Sequence, residues 1–374
     1  MFQQSSYSEK LTFFQKLRSF DYVLLFCILI LGVISNLSMY STDGGEFLYH
    51  TKSHLLRFVV FFTLMVFLSF LSLRFWHATA YLFYIIILGF LIWASLYGVT
   101  ASGSQRWINL YFINLQPSEL MKIAIIVCFA RYFHREQLTN INSLKNILLS
   151  ITILILPILL VVSQPDLGTS ILIAISGLIV LWLAGFNVRY FIYSGLALLI
   201  SLPFVISILK PYQKLRVLSF FNPDRDPLGA GYQIIQSKIA VGSGGLTGKG
   251  FLKGTQSYLE FLPEKHTDFI FTLFSEEQGF VGSVFLLVLY AILIYRILKI
   301  GSVSRSYFAK LFCYGFGSAI FVYVAVNMAM VLGLLPIVGS PLPIMSYGGS
   351  SMLATMIGLS IVMSTKIYSK QVIY

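Results

Sequence analysis

Uncharged apolar runs near twenty residues alternate with short polar segments along almost the whole chain. An α-helix needs roughly 20 such residues to cross a bilayer core. Cut at that length, the runs fall at 21–41, 54–73, 77–98, 117–134, 147–163, 168–186, 190–209, 270–298, 307–335 and 347–365. The pattern predicts an all-α polytopic integral membrane protein with ten transmembrane helices. A polar tail over 1–20 precedes the first run, and a large extracytoplasmic loop over 210–269 separates the seventh helix from the eighth. No other stretch is polar enough to fold apart from the bilayer, so 1–374 reads as one membrane domain.

Composition closes off the soluble classes: 57% of residues are hydrophobic and 11% charged, with a mean hydropathy of +0.83. Charge then orients the chain. Lys10, Lys16, Arg18, Arg74, Arg131, Arg135, Lys145, Arg189, Arg296, Lys299, Arg305, Lys310, Lys366 and Lys370 fall on one side, whereas the short loops opposite hold Lys52, Arg57, Arg106 and Lys122. The positive-inside rule puts both termini in the cytoplasm. The first run follows a charged tail and has no small-residue cleavage site, so it reads as an uncleaved signal anchor. Cys27, Cys128 and Cys313 all lie inside runs, which argues against disulfides and offers no metal-ligand spacing. The long loop is basic (Lys210, Lys214, Arg216, Arg225, Lys238, Lys249, Lys253, Lys265), which suits anionic headgroups or a pyrophosphate. No nucleic-acid-reading module accompanies that charge, so no nucleic acid partner is expected.

Helices entering from the outer side open with "LQPSELMK" (Leu115 to Lys122), "QPDLGTS" (Gln164 to Ser170), "EKHTDF" (Glu264 to Phe269) and "SPLPIMSYGGSS" (Ser340 to Ser351); those entering from inside open plainly, with "SLKN", "NVRY" and "SRSY". Pro, Ser, Thr and Asp start helices well, but that preference is blind to membrane side. The asymmetry points to a working site facing outward, where there is no ATP and a substrate must carry its own leaving group. "GSGGLTGKG" (Gly242 to Gly250) matches neither a phosphate-binding loop, because Ser243 and Gly250 break it, nor a dinucleotide fingerprint, because Thr247 replaces the last Gly. It reads as a mobile backbone hinge after "YQIIQSKIAV", whose Ile235 and Ile239 suit an amphipathic surface segment. Asp268 sits at a helix start, where a capping carboxylate is as natural as a catalytic one. Glu119 and Lys122, three apart, can neutralise each other. Arg106 with Trp107 suits an interfacial anchor, His266 a loop, and Thr272, Ser275, Glu276 and Glu277 a polar stripe turned to the bundle interior.

Taken together, "RW" before "QPSELMK", then "QPDLGTS", "DPLGAGYQIIQSKIAVGSGG", "LPEKHTDFIF" with "EEQGFVG", and "GLLPIVGSPLPIMSYGGSS" resemble the SEDS family (shape, elongation, division, sporulation) over essentially the full length. "GKGFLKGTQSYLEFLPEKHTDF" is more similar to elongation-type than to division-type members. The resemblance implies a ten-helix peptidoglycan glycosyltransferase of the bacterial inner membrane. Such a protein polymerises lipid II with a class B penicillin-binding protein and other elongation-machinery proteins. It places the essential aspartate on Asp268, the "RW" pair on Arg106 and Trp107, and an acid–base pair on Glu119 and Lys122. The lipid II pyrophosphate then calls for cations at Arg106, Lys122 and Arg216, with His266 and Thr267 orienting. No nucleotide is required; a divalent cation such as Mg2+ bridging Asp268 and the diphosphate fits the chemistry, although the sequence offers no dedicated cage for it. A lipid II flippase, or a scaffold recruiting a transpeptidase, are the alternative readings.

Overall fold

A computed structural model describes residues 12–101, 104–109, 114–135, 141–208, 211–226, 229–255, 264–371 and 373. Residues 1–11 of the tail lie outside the described residues, as do 210, 227–228 and 256–263 of the long loop, which takes in Phe261 to Pro263 of the "LPEKHTDFIF" block.

A short α1 (Phe13–Arg18) leads into α2 (Tyr22–Thr42), α3 (Tyr49–Ser69) and α4 (Leu73–Tyr97). Three short strands follow, β1 (Val99–Ala101), β2 (Ser104–Asn109) and β3 (Asn114–Leu115), before α5 (Pro117–Arg135), α6 (Leu144–Ser163), α7 (Leu167–Ala184) and α8 (Val188–Ile208). The long loop contains α9 (Pro211–Phe221), a 3-10 turn at Pro223–Arg225, and α10 (Ala230–Ser243). The chain closes with α11 (Ile270–Val303), α12 (Tyr307–Val331) and α13 (Gly349–Ile367). Asp21, Ser72, Ser143 and Asp166 cap their helices, each side chain accepting from a backbone N–H one turn on.

Among the described residues, eight helices are long and apolar enough to cross a membrane: α2, α3, α4, α6, α7, α11, α12 and α13. The protein is a multi-pass membrane protein built almost wholly of helix. α5 and α8 coincide with the other two predicted runs and differ from each other for a physical reason. α5 packs against α4, α6, α7, α12 and α13, and every side chain from Gln116 to Ala130 is buried. A helix sheathed in protein can carry Glu119 and Lys122, which a lipid-facing helix cannot. α8 lies at the opposite extreme, with its side chains from Val188 to Ile200 exposed except at Phe191.

The sequence pattern gave no hint of the β-meander. β1 pairs antiparallel with β2 (Val99 with Trp107, Thr100 with Gln105), and β2 with β3 (Ile108 with Leu115). It bridges the end of α4 to the start of α5 and carries Arg106 and Trp107.

The "GSGGLTGKG" segment is not the hinge its glycines suggest. α11 breaks at Gly279 (φ 65°), and the loop inserts its own backbone there. Lys249 N and Gly250 N donate to the carbonyls of Glu276 and Glu277, both at 3.0 Å, while Phe280 N and Val281 N donate to the carbonyls of Gly245 at 2.9 Å and Leu246 at 3.1 Å. Those are the groups that would otherwise bond each other along the helix, so the break leaves them paired. Only glycine fits at the crossing, because a Cβ on Gly248 would lie 2.0 Å from the Glu277 carbonyl oxygen. The predicted polar stripe is engaged as well. Glu276 accepts from Lys249 Nζ at 2.7 Å and Thr255 N at 2.9 Å, and Glu277 from Ser41 Oγ and Leu252 N. In α10 the buried face is Ile234, Ser237 and Ala240, with Ile239 exposed, so the surface segment expected from Ile235 and Ile239 instead packs against α11. Ser237 Oγ contacts Thr272 Oγ1 at 2.9 Å.

Candidate active site

All four polar helix openings converge on one end of the bundle. They line a cavity of about 640 Å³ together with β1, β2 and α9. From "LQPSELMK" come Gln116 and Glu119, from "QPDLGTS" Asp166, from "EKHTDF" Glu264, Thr267 and Asp268, and from "SPLPIMSYGGSS" Pro341, Tyr347, Ser350 and Ser351. β2 adds Arg106 and Trp107, and α9 adds Arg216.

Asp268 ends the turn before α11 and is fixed by its backbone. Asn327 Nδ2 on α12 donates to the Asp268 carbonyl at 2.9 Å and to that of Ser340 at 2.7 Å. Ser346 Oγ donates to the Thr267 carbonyl at 2.6 Å, and Tyr347 N to the His266 carbonyl at 2.9 Å. The main chain of 266–268 is therefore held by α12 and the segment leading into α13. Asp268 lies one residue before Phe269, the N-cap of α11, which makes no side-chain bond to the helix.

Burial, and after it the Glu264 carboxylate, hold the Asp268 carboxyl up at about 7. Arg106 and Arg216 pull the other way, and Asp166 adds a smaller upward push. A carboxyl of this kind exchanges its proton near neutral pH, as a general base must. Arg106 is set by a partner that its sequence neighbours do not reveal: its guanidinium donates to Asp166 Oδ2 at 2.9 Å. Asp166 is the N-cap of α7, accepting from Thr169 N at 3.2 Å and Oγ1 at 2.9 Å, and it also accepts from Gln116 Nε2 at 3.1 Å. Arg106 Nε is buried with no hydrogen-bond partner among the described residues, a donor available to an anionic ligand.

Of the residues singled out from sequence, the cavity gathers Arg106, Trp107, Glu119, Arg216, Thr267 and Asp268. Lys122 does not line it. Its Nζ pairs with Glu119 Oε1 at 2.8 Å, with both side chains buried, and sits 4.1 Å over the Tyr323 ring. His266 also lies off the cavity, its Nδ1 3.0 Å from Thr42 Oγ1 and its ring stacked on His50 at 4.1 Å. Burial, then the charges of His50 and Lys265, lower His266 to about 4, so it is neutral at pH 7. The residues missed from sequence are Asp166, Gln116, Glu264 and Asn327. The first three stand inside blocks that had drawn attention as helix openings, whereas Asn327 lies in an apolar run. Among the described residues Asp268 belongs to no three-ligand group, so a cation such as Mg2+ beside it would rest on Asp268 and substrate oxygens.

Residues 17–371 match the model of the FtsW/RodA/SpoVE family, described as cell cycle proteins. The chain is 42% identical to the peptidoglycan glycosyltransferase MrdB of Escherichia coli (strain K12), covering 96% of this chain and 97% of that protein. It is 35% identical to stage V sporulation protein E of Bacillus subtilis (strain 168), over 73% of this chain and 74% of that protein. Among solved structures, a chain of a peptidoglycan synthase complex that coordinates polymerization and crosslinking superposes with a TM-score of 0.81 at 30% identity, covering 94% of this chain and 99% of that one. The rod shape determining protein RodA of Thermus thermophilus superposes with a TM-score of 0.72 at 25% identity, covering 94% and 98%. A match spanning nearly every helix, joined to relatives aligned end to end, shows that the chain belongs to the FtsW/RodA/SpoVE family, the SEDS proteins.

Proposed function

We propose that this protein is an elongation-type peptidoglycan glycosyltransferase that polymerises lipid II on the outer face of the bacterial inner membrane. In this reading residues 1–374 form one membrane unit with ten crossings and both termini in the cytoplasm, working beside a class B penicillin-binding protein. The observation that carries it is the cavity: a carboxyl with a proton affinity near neutrality lines one cavity together with two guanidinium groups.

Asp268 accepts the proton from a hydroxyl of the acceptor sugar as that oxygen attacks the anomeric carbon of the donor. The bond from that carbon to the pyrophosphate oxygen breaks, and undecaprenyl pyrophosphate leaves. Arg106 and Arg216 stabilise the charge on the departing diphosphate, and Arg106 has a buried Nε–H to offer. Asp166 holds the Arg106 fork in place. Lys122, away from the cavity, serves by fixing Glu119 in its wall. Thr267 and Trp107 position the sugar, and His266, neutral and packed beneath, supports the turn that bears Asp268.

The test uses purified protein with its transpeptidase partner, labelled lipid II, and a gel that resolves glycan strands. Strands made in detergent, with no sealed membrane to cross, mark a polymerase; a folded complex that makes none would leave the flippase and scaffold readings standing. The pH profile sharpens the assignment. A base must be ionised to act, so the rate should climb about tenfold per pH unit below about 7 and level off above it. A profile flat from pH 5.5 to 8.5 would remove Asp268 as the base.

A further inference from the structure

A second cluster of ligating groups lies at the same end of the bundle, outside the cavity. Asp43 ends α2, His50 stands in the first turn of α3, and His266 precedes Asp268 by two residues. One donor atom from each lies within 4.8 Å of the others. His50 Nδ1 is 3.3 Å from Asp43 Oδ1. Around a tetrahedral ion with ligands about 2.0–2.2 Å away, neighbouring donors stand about 3.3 Å apart, so closing all three onto one ion takes side-chain shifts of order 1 Å.

We propose that Asp43, His50 and His266 form a site for a divalent metal ion of the zinc class, which clips the α2–α3 turn to the segment bearing Asp268. Two imidazoles and one carboxylate are a borderline donor set, suited to Zn2+, Co2+ or Ni2+ and poorly suited to Mg2+, which demands oxygen. The surroundings resemble the outer contacts that such sites need. Asp43 Oδ2 is held by Thr51 N at 2.9 Å and Thr51 Oγ1 at 2.6 Å, which orients Oδ1 toward His50. Thr42 Oγ1 engages His266 Nδ1, so an ion taking the other nitrogen would find the ring already aligned. The Asp43 side chain is 3% exposed and that of His50 40%, which gives a buried charge with an open approach through the histidine. The remaining coordination position falls to water.

The site is distinct from any ion bridging Asp268 to a diphosphate. Its role is positional: it would reinforce the contacts that His266 already makes with Thr42 and His50, locking to α2 and α3 a turn whose main-chain ties run to α12 and the loop before α13.

Full-length protein in detergent, with any histidine tag removed and metal stripped by EDTA, is titrated with Co2+. The expected result is one Co2+ per chain at micromolar metal with visible d–d absorption, displaced by Zn2+ and indifferent to excess Mg2+. His50→Ala, and the more conservative His50→Gln should the first variant fail to fold, should weaken binding by more than about 100-fold. Thr51→Val should weaken it about tenfold, and His134→Ala, at the other end of the bundle, should leave it unchanged. A parent protein that takes up no stoichiometric Co2+, or a folded His50 variant that binds as the parent does, would overturn the site. Bound metal is read without lipid II, so this outcome and that of the glycosyltransferase assay are independent.

Discussion

Asp268→Asn lowers glycan-strand synthesis by about 10²–10⁴-fold, the range that a positioned general base contributes. The amide keeps the shape and the backbone bonds from Asn327 and Ser346, so folding is preserved. Stability provides the internal control, and its sign follows from the raised proton affinity. The folded protein favours the neutral carboxyl, so Asp268 contributes stability when protonated and loses it as pH rises through about 7. The neutral amide has no such loss. Relative to the parent, the variant should therefore unfold no earlier at pH 8 than at pH 6, while remaining inactive at both. Polymerisation by the variant at the parent's rate would show that Asp268 is not the base, and an early-unfolding variant at pH 8 would show that its carboxylate is not the strained partner at that turn.

Glu119→Gln or Lys122→Met alone costs about 3–5 kcal/mol of stability, and the double variant recovers most of it. Each single change leaves one charge without its partner among the buried side chains of α5. Removing both leaves two neutral groups of similar size, with Lys122's replacement still covering the Tyr323 ring. Thermal unfolding in detergent, followed by size-exclusion, measures all three. A double variant as weak as the singles would mean that the pair does not cancel itself. Because Glu119 also lines the cavity, a double variant that is stable yet slow would separate a role toward substrate from a role in the fold.

The helices were legible because a bilayer imposes one length and one polarity on whatever crosses it, and the four polar openings that meet at the cavity stood out for the same reason. Asp268 could be picked from its block, but its proton affinity could not: that depends first on burial in the folded bundle, then on Glu264 of its own block and on Arg106 and Arg216 arriving from two other segments. Asp166 reads in sequence as an N-cap and nothing more, yet its second oxygen holds Arg106 across 60 residues. Lys122 and His266 carried charge and chemistry in the right blocks, but one turns to Glu119 and Tyr323, the other to Thr42 and His50. Direction around a helix or turn is a matter of packing. The meander failed to show because its strands are too short for an alternating pattern to stand out, and Asp43 meets His266 only through closure over more than half of the chain.

The break at Gly279 separates α11 mechanically into two pieces. The part next to Asp268, Ile270 to Gln278, bonds residues 249–250, whereas the shaft from Phe280 to Val303 bonds residues 245–246, so the two pieces are joined through the long loop rather than by a continuous helix ladder. A thinner or thicker bilayer tilts the shaft to match its hydrophobic length. We expect that tilt to be taken up at this loop-bridged joint rather than passed to the carboxylate. Synthesis in vesicles of different acyl-chain length should therefore vary little in rate. In Gly279→Ala, where a Cβ would lie 2.2 Å from Gly248 N, the loop is forced out and the rate should become sensitive to membrane thickness.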